Sequence, residues 1–332
     1  MTVNRQFRLA ARPVGLPKRS DFDLVTEPIP EPNEGQFVVR NAYISLDPAM
    51  RGWMNEGKSY VPPVGIGEVM RAYAAGEVIA SKHPKFPVGG YAAGVFGVQE
   101  YALSDGKGAR AVDTKLAPLP TYLSVLGMTG MTAWFGLFDV GAAQPGDTVV
   151  VSAAAGAVGS LVGQIAKIHG CRTVGIAGGA DKCRQLIDDY GYDAAIDYKH
   201  DDIAAALKQH CPQGINVYFD NVGGEILEAA LARLALHARV VICGAISQYN
   251  STTGVKGPAN YLALLVTRSR MQGFVVFDYA NRYAEAAQTI GGWLAQGKLK
   301  SREDIVAGFD TFPDTLLKLF RGENDGKLML KV

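Results

Sequence analysis

The first 170 residues of this 332-residue chain contain no cysteine. Cys171, Cys183, Cys211 and Cys243 all fall in the second half, and no two of them form a C-x-x-C pair. A zinc site needs clustered ligands at short spacings. The histidines, at 83, 169, 200, 210 and 237, do not complete one. The cysteines therefore read as free thiols, and no metal is expected. No apolar run reaches the roughly 20 residues of a membrane-spanning helix. The opening stretch, MTVNRQFRLAARP, lacks the apolar core of a secretory signal. Charge of one sign is also missing: net charge is +1, with no long basic or acidic run. That argues against nucleic acid or acidic membranes as main partners. These absences point to a cytoplasmic protein with a small-molecule substrate.

The composition that remains, 48% hydrophobic and 20% charged, is that of a globular protein. Single cores stop growing near about 250–300 residues, so two domains are expected. Residues 1–122 are rich in Pro, Gly and short β-prone runs, with strands expected at 37–46, 67–72, 76–80 and 95–103. Such spacing suggests a barrel-like β domain. Pro118 and Pro120 mark its border. Residues 123–300 alternate strands and helices, and 301–332 supply a helix at 312–320 and a strand at 328–331. The tail is expected to pack back on the first domain, which is then split in sequence: 1–122 with 301–332, around 123–300.

The chain is organised around TVVVSAAAGAVGSLVGQIAKIH, residues 148–169. Its β-branched opening, 148–151, has the composition of a buried parallel strand. A turn of small residues follows, then Val158, Leu161, Val162, Ile165 and Ile168 at helical spacing. Strand, glycine turn and helix form the first unit of a dinucleotide-binding fold. The G-x-G-x-x-G fingerprint reads here as Ala154, Gly156 and Gly159. Gly156 lets a pyrophosphate approach the backbone, and Gly159 lets the helix lie against the strand. The helix N-terminus then meets the phosphate charge. Taken alone, the triplet also fits a tight turn packed with small residues.

The βαβ rhythm continues, with strands expected at 172–177, 194–197, 215–220, 239–243 and 273–277. Helices are expected from the N-cap Asp181 to before Gly191, and over 202–210, 224–236 and 281–296. This is an α/β fold with a doubly wound parallel sheet, which binds ligands at the carboxyl ends of its strands. NAD-binding units place an acidic residue at the end of the second strand. Here that strand ends in Ala177, Gly178 and Gly179, and Lys182 follows. Room plus a cation suits a 2′-phosphate, so NADP(H) is the expected coenzyme. The competing reading of Lys182 is a solvated surface lysine, and Asp181 is assigned to capping its helix. Asn221 and Val222, in DNVGG, follow one strand where the nicotinamide end belongs. Cys243, Gly244 and Ala245 follow the next. Asn221 serves equally well as a turn residue beside Gly223.

Eight stretches then carry a resemblance across nearly the whole chain: ISLDPAMRG (44–52), LGMTGMTAWFGL (126–137), AAAGAVGS (153–160), GCRTVGIAGGADKC (170–183), YFDNVGG (218–224), CGAISQYN (243–250), MQGFVVFDY (271–279) and GENDGK (322–327). They resemble the zinc-independent medium-chain dehydrogenase/reductases, in the branch of prostaglandin and leukotriene reductases, plant alkenal double-bond reductases and bacterial curcumin reductases. The resemblance implies a GroES-like β domain joined to a Rossmann domain, with the active site in the cleft between them. It implies NADPH-dependent reduction of a carbon–carbon double bond conjugated to a carbonyl, and a homodimer. The zinc-dependent relatives carry an early cysteine ligand and a Gly-His-Glu segment; this chain reads Gly65-Ile66-Gly67-Glu68.

Carried over motif by motif, the resemblance assigns coenzyme contacts to Ala155, Gly156, Ala157, Val158 and Lys182. Tyr198, in DYK, joins the 2′-phosphate site. Asn221, the loop Cys243, Gly244, Ala245, Ile246, Ser247 and Tyr249, the segment Phe274, Val275 and Val276, and Asn324 complete the set. Tyr249 matches a tyrosine near the nicotinamide ribose and substrate carbonyl. Ala49 stands where the family carries a tyrosine that lines the substrate pocket, which implies a larger or reshaped site. Arg51 and Tyr60 are placed with it, and Tyr43 and Trp53 are further candidates.

Without a metal, the substrate carbonyl must be polarised by a hydrogen-bond donor, and Tyr249 is the candidate. It also reads as a packing residue. Met131, Trp134 and Phe135, on one helix, read as core in preference to substrate contacts. Two other functions share the same coenzyme site: a quinone oxidoreductase, and a non-catalytic NADPH-binding protein.

Overall fold

Val3–Leu9 (β1) and Phe22–Pro28 (β2) pair antiparallel as a two-stranded sheet in the computed structural model, which describes residues 3–332. Neither strand was expected from the sequence, because Arg5 and Arg8 in one and Asp23, Thr26 and Glu27 in the other interrupt the apolar pattern. The chain then forms Phe37–Ser45 (β3), the short helix Ala49–Trp53 (α1), Tyr73–Ser81 (β4), Tyr91–Val95 (β5), Tyr101–Ser104 (β6) and Arg110–Val112 (β7). The expected strand at 67–72 is reduced to an isolated bridge between Arg8 and Val69. The expected strand at 95–103 is broken. Gly97 there has φ +76°, and a Cβ on it would lie 2.9 Å from Val69 Cγ1, so the chain turns instead of pairing.

Met128–Phe135 (α2) opens the alternating region, and Thr148–Ser152 (β8), Gly159–Ile168 (α3), Arg172–Ala177 (β9) and Ala180–Asp188 (α4) follow. Ala194–Asp197 (β10), Ile203–His210 (α5), Ile215–Asp220 (β11), Gly224–Leu231 (α6) and Leu234–Ile242 (β12) come next. Ala263–Thr267 (α7), Arg270–Gly273 (β13) and Tyr283–Ala295 (α8) complete it. The six strands form one parallel sheet in the order β10-β9-β8-β11-β12-β13, the doubly wound arrangement. Val149, Val150 and Val151 are fully buried in its centre.

Three expectations fail here. The helix of 224–236 stops at Leu231, because β12 begins at Leu234 and pairs with Ile215. The strand of 273–277 keeps only Gly273. Its neighbour β12 ends at Ile242, opposite Gly273, so Phe274, Val275 and Val276 lie beyond the last available partner and Val276–Arg282 winds into a 3-10 turn. Asp181 does not cap its helix: Gly179, at φ 98°, is the N-cap, and Asp181 lies in the first turn, paired with Arg184.

Glu303–Ala307 (β14), Phe312–Arg321 (α9) and Lys327–Lys331 (β15) end the chain. β15 pairs with β3, giving a seven-stranded sheet in the order β14-β15-β3-β4-β5-β7, with β6 paired to β3 off that path. Two compact units result: one runs to Ser124 and takes in Glu303–Val332, the other is Val125–Arg302. The first has a core in which Phe312 of α9 meets Phe7 and Phe22 at ring-centroid distances of 5.1 Å. The second buries Met131 and Phe135 of α2, while Trp134 packs on Phe138 and Trp293. No helix among the described residues is long and apolar enough to cross a membrane.

Candidate functional site

Strand order in the parallel sheet reverses between β8 and β11. The carboxyl ends of those two strands, Ser152 and Asp220, therefore flank the position at which such sheets bind ligands. The turn after β8 is tight. Ala153 adopts φ 48°, and the Gly156 N–H closes back on the Ala153 carbonyl at 2.9 Å. A Cβ on Gly159 would lie 2.4 Å from that carbonyl oxygen and 2.8 Å from Ala154 Cα, so only glycine lets α3 start this close to the strand. Among the described residues no side chain caps α3. The Ser160 and Leu161 N–H groups bond back to the Gly156 and Val158 carbonyls at 3.0 and 3.1 Å, and no cap side chain competes for the first-turn donors that precede them. Ala155, Gly156, Ala157 and Val158 form this cradle, whose small side chains suit the close approach of a pyrophosphate.

The end of β9 is shaped for a different group. Gly178 lies against Tyr198: a Cβ there would sit 2.8 Å from the phenol ring. Tyr198 is 43% exposed, so the ring borders solvent. Asp197 accepts from the Gly179 N–H at 2.7 Å and from the Lys199 N–H at 3.0 Å, and contacts His200 Nδ1 at 2.7 Å. Burial opposes ionisation of Asp197, but these bonds outweigh it and hold its carboxyl below the ordinary range. Lys182 projects from the first turn of α4. The second strand thus ends in glycines and a tyrosine with a lysine beyond, and its nearby carboxylate is engaged by backbone.

At the end of β11 two loops are stitched together. The Asn221 carbonyl accepts from the Ile246 N–H at 3.2 Å, and the Val222 carbonyl accepts from the Ser247 N–H at 3.2 Å and its hydroxyl at 2.6 Å. Tyr249 Oη accepts from the Ala245 N–H at 3.1 Å. A Cβ on Gly244 would lie 2.9 Å from that oxygen, so Gly244 makes room for it. The Asn221 amide donates to the Ser152 carbonyl at 2.8 Å and is a strand-end latch as much as a ligand contact. Cys243 continues β12, with its N–H on the Asp220 carbonyl at 2.9 Å. Phe274 packs edge-on to Phe219, 6.5 Å between centroids, and the Val276 carbonyl accepts from Tyr283 at 2.9 Å.

Ser152, Asp197 and Asp220 were missed by sequence reasoning. The available signal was a carboxylate closing an apolar strand, as in AAID and VYFD.

The remaining candidates lie in the other unit. Arg51 is engaged within this unit. It is only 4% exposed, and it donates to the carbonyls of Pro13 at 3.0 Å and Gly15 at 3.1 Å and to Asn55 Oδ1 at 2.5 Å. It braces the loop after β1. Tyr60 is 52% exposed, and its hydroxyl accepts from Trp53 Nε1 at 3.1 Å. Ala49 opens α1. The Asn324 amide donates to the Gly326 carbonyl at 2.9 Å.

Residues 5–112 match the family described as the N-terminal domain of oxidoreductase, and 157–291 match the family described as zinc-binding dehydrogenase. The chain is 41% identical to the NADPH-dependent curcumin reductase of Escherichia coli K12, over 99% of this chain and 97% of that protein. The chain belongs to the medium-chain dehydrogenase/reductase superfamily. It is 40% identical to the NADP(+)-dependent 2-alkenal reductase of Nicotiana tabacum, over 99% of this chain and 97% of that one. Its fold superposes on the crystal structure of CurA from Vibrio vulnificus in complex with NADPH, with a TM-score of 0.94, 45% identity and 99% of each chain covered.

Within the superfamily this is an NADP-dependent oxidoreductase of the curcumin, alkenal and prostaglandin reductase group, and its coenzyme is NADP(H). The glycine cradle at 153–159 fits the coenzyme's pyrophosphate, and the β9 end fits a phosphorylated ribose. Among the described residues no group of three or more His, Cys, Asp or Glu is placed to hold a metal ion.

Proposed function

We propose that this enzyme reduces the carbon–carbon double bond of α,β-unsaturated carbonyl compounds, enones and alkenals, with NADPH. The observation that carries the reading is the fixed phenol of Tyr249. It is held by the Ala245 N–H on a loop tied at two carbonyls to the turn after β11. When bound, NADPH would supply a hydride for the β carbon of the acceptor and become NADP+. The electron pair of the double bond shifts toward the carbonyl oxygen, giving an enolate. Tyr249 stabilises that oxygen by donating its hydroxyl hydrogen, directly or through the ribose; the hydrogen bond it accepts strengthens it as a donor. A proton from solvent or a side chain then adds at the α carbon, completing a net two-electron, two-proton reduction. Lys182 and Tyr198 bind the 2′-phosphate, and the 155–159 cradle binds the pyrophosphate. Ala49, Arg51 and Tyr60 are the residues we assign to acceptor binding.

The test is NADPH oxidation across alkenals, enones, curcuminoids and quinones, with product analysis of the bond reduced. Saturated carbonyl products support the reading. Turnover of quinones alone would replace it with a quinone oxidoreductase, and tight NADPH binding with no turnover would leave a coenzyme-binding protein.

We further infer a homodimer. Strand β13 is an exposed sheet edge, and beside it Leu265 and Val266 of α7 are each 74% exposed. An unpaired edge next to apolar surface is suited to pairing with a second copy. Light scattering at micromolar concentration tests it, and a monomer mass overturns it.

A further inference from the structure

Asp220 is a buried carboxylate to which the proposed chemistry gives no work. It is 1% exposed. Its Oδ1 accepts from the hydroxyls of Ser152 at 2.9 Å and Tyr218 at 3.1 Å, and from the N–H groups of Val222 and Gly223 at 3.0 Å each. Oδ2 accepts from Gly223 at 3.1 Å. Every one of these partners is a donor, which is the arrangement that stabilises the charged form. Among the described residues no cationic side chain pairs with it. Burial pushes its carboxyl up from the ordinary value, and the donors pull against that shift. Its field reaches the neighbouring loop: the Cys243 thiol is pushed up to about 12, first by burial and then by the Asp220 charge.

An amide could accept the same bonds at Oδ1, so hydrogen bonding alone does not require a carboxylate. A charge does something more. The two coenzyme forms carry identical phosphates and differ by one unit of charge on the nicotinamide, neutral when reduced and cationic when oxidised. We propose that Asp220 is a positioning and electrostatic residue that favours the oxidised coenzyme over the reduced one, and so sets the readiness of bound NADPH to give up hydride. The proposal rests on the reading that the nicotinamide lies at the carboxyl end of β11.

The experiment measures Kd for NADP+ and for NADPH by calorimetry on the full chain and on Asp220→Asn, with thermal unfolding as the check on folding. Removing the charge is expected to raise the ratio Kd(NADP+)/Kd(NADPH) by at least about threefold, from Coulomb's law at protein-like dielectric. Tyr218→Phe removes a hydrogen bond to the same carboxylate and leaves its charge; its ratio is expected to match the wild type. Should Asp220→Asn not fold, Asp220→Ser supplies a second neutral side chain that still accepts from the turn. A folded neutral variant with an unchanged ratio overturns the proposal, as does an equal shift in Tyr218→Phe. Wild-type protein that binds neither form would sink the coenzyme site itself, whereas normal binding with an unmoved ratio sinks only the role of Asp220.

Discussion

Asp197, closing β10, accepts the N–H of Gly179 at 2.7 Å, just past the end of β9. This one bond couples two neighbouring strand ends and fixes the glycine turn that precedes Lys182. The carboxylate near the ribose site is thereby directed to backbone donors, and Lys182 is the cation we assign to the phosphate. Lys182→Ala should lower the preference for NADPH over NADH by about tenfold, the worth of one charge-assisted phosphate contact. Kd values for both coenzymes measure this, and an unchanged ratio removes Lys182 from the site.

Tyr249→Phe keeps the ring and removes the hydroxyl. If the phenol stabilises the developing oxyanion, turnover of an enone should fall by roughly 10- to 100-fold, toward the range for a lost preorganised donor. NADPH affinity should stay within about twofold, because the hydroxyl's role is made in the transition state. Steady-state kinetics paired with calorimetry separate the two, and wild-type turnover would eliminate the residue.

Gly159→Ala places a methyl group 2.4 Å from the Ala153 carbonyl oxygen. Backbone must move, at a cost of about 1–3 kcal/mol for overpacking, and α3 must shift away from the cradle. Both the urea midpoint and NADPH affinity should drop together. Loss of stability with intact affinity would show that the helix start does not shape the coenzyme site.

Lys327 is a buried cation, its side chain 3% exposed, and its Nζ donates to Asp47 Oδ1 and to the Leu46 carbonyl at 2.8 Å each. It pins β15 to the DPAMRG segment after β3. Lys327→Met should destabilise the protein by about 3 kcal/mol, because the acceptors lose their partner. The double variant with Asp47→Asn should recover part of that loss. Urea denaturation of the four proteins measures the coupling.

Burial raises all four thiols, Cys171, Cys183 and Cys211 to about 11 and Cys243 to about 12. Only the thiolate is nucleophilic, so iodoacetamide at about pH 8 should label the native protein at least about a hundredfold more slowly than an unperturbed thiol. The rate should climb as pH rises toward 11, and unfolding should release all four sites. A fast native site at neutral pH would contradict these environments.

The chemistry-bearing stretches were readable because each is local. TVVVS followed by small residues dictates strand and turn, and the glycines at 156 and 159 dictate close approach, whatever the rest of the chain does. The missing acid after Ala177 and the presence of Lys182 likewise indicated the coenzyme before any packing was known. Strand limits were less readable, since a strand lasts only as long as its neighbour. FVVF has strong β propensity, yet Phe274 leaves the sheet because β12 has already ended at Ile242.

By itself the sequence determined the alternation of strands and helices in the second unit, the glycine turn and the phosphorylated coenzyme, because these depend on residues within a few positions of each other. Only the tertiary structure decided the hydrogen-bond partners of Asp220, Asp197 and Arg51. A carboxylate or guanidinium has no role until its donors, acceptors and burial are known, and those come from strands and loops distant in the chain.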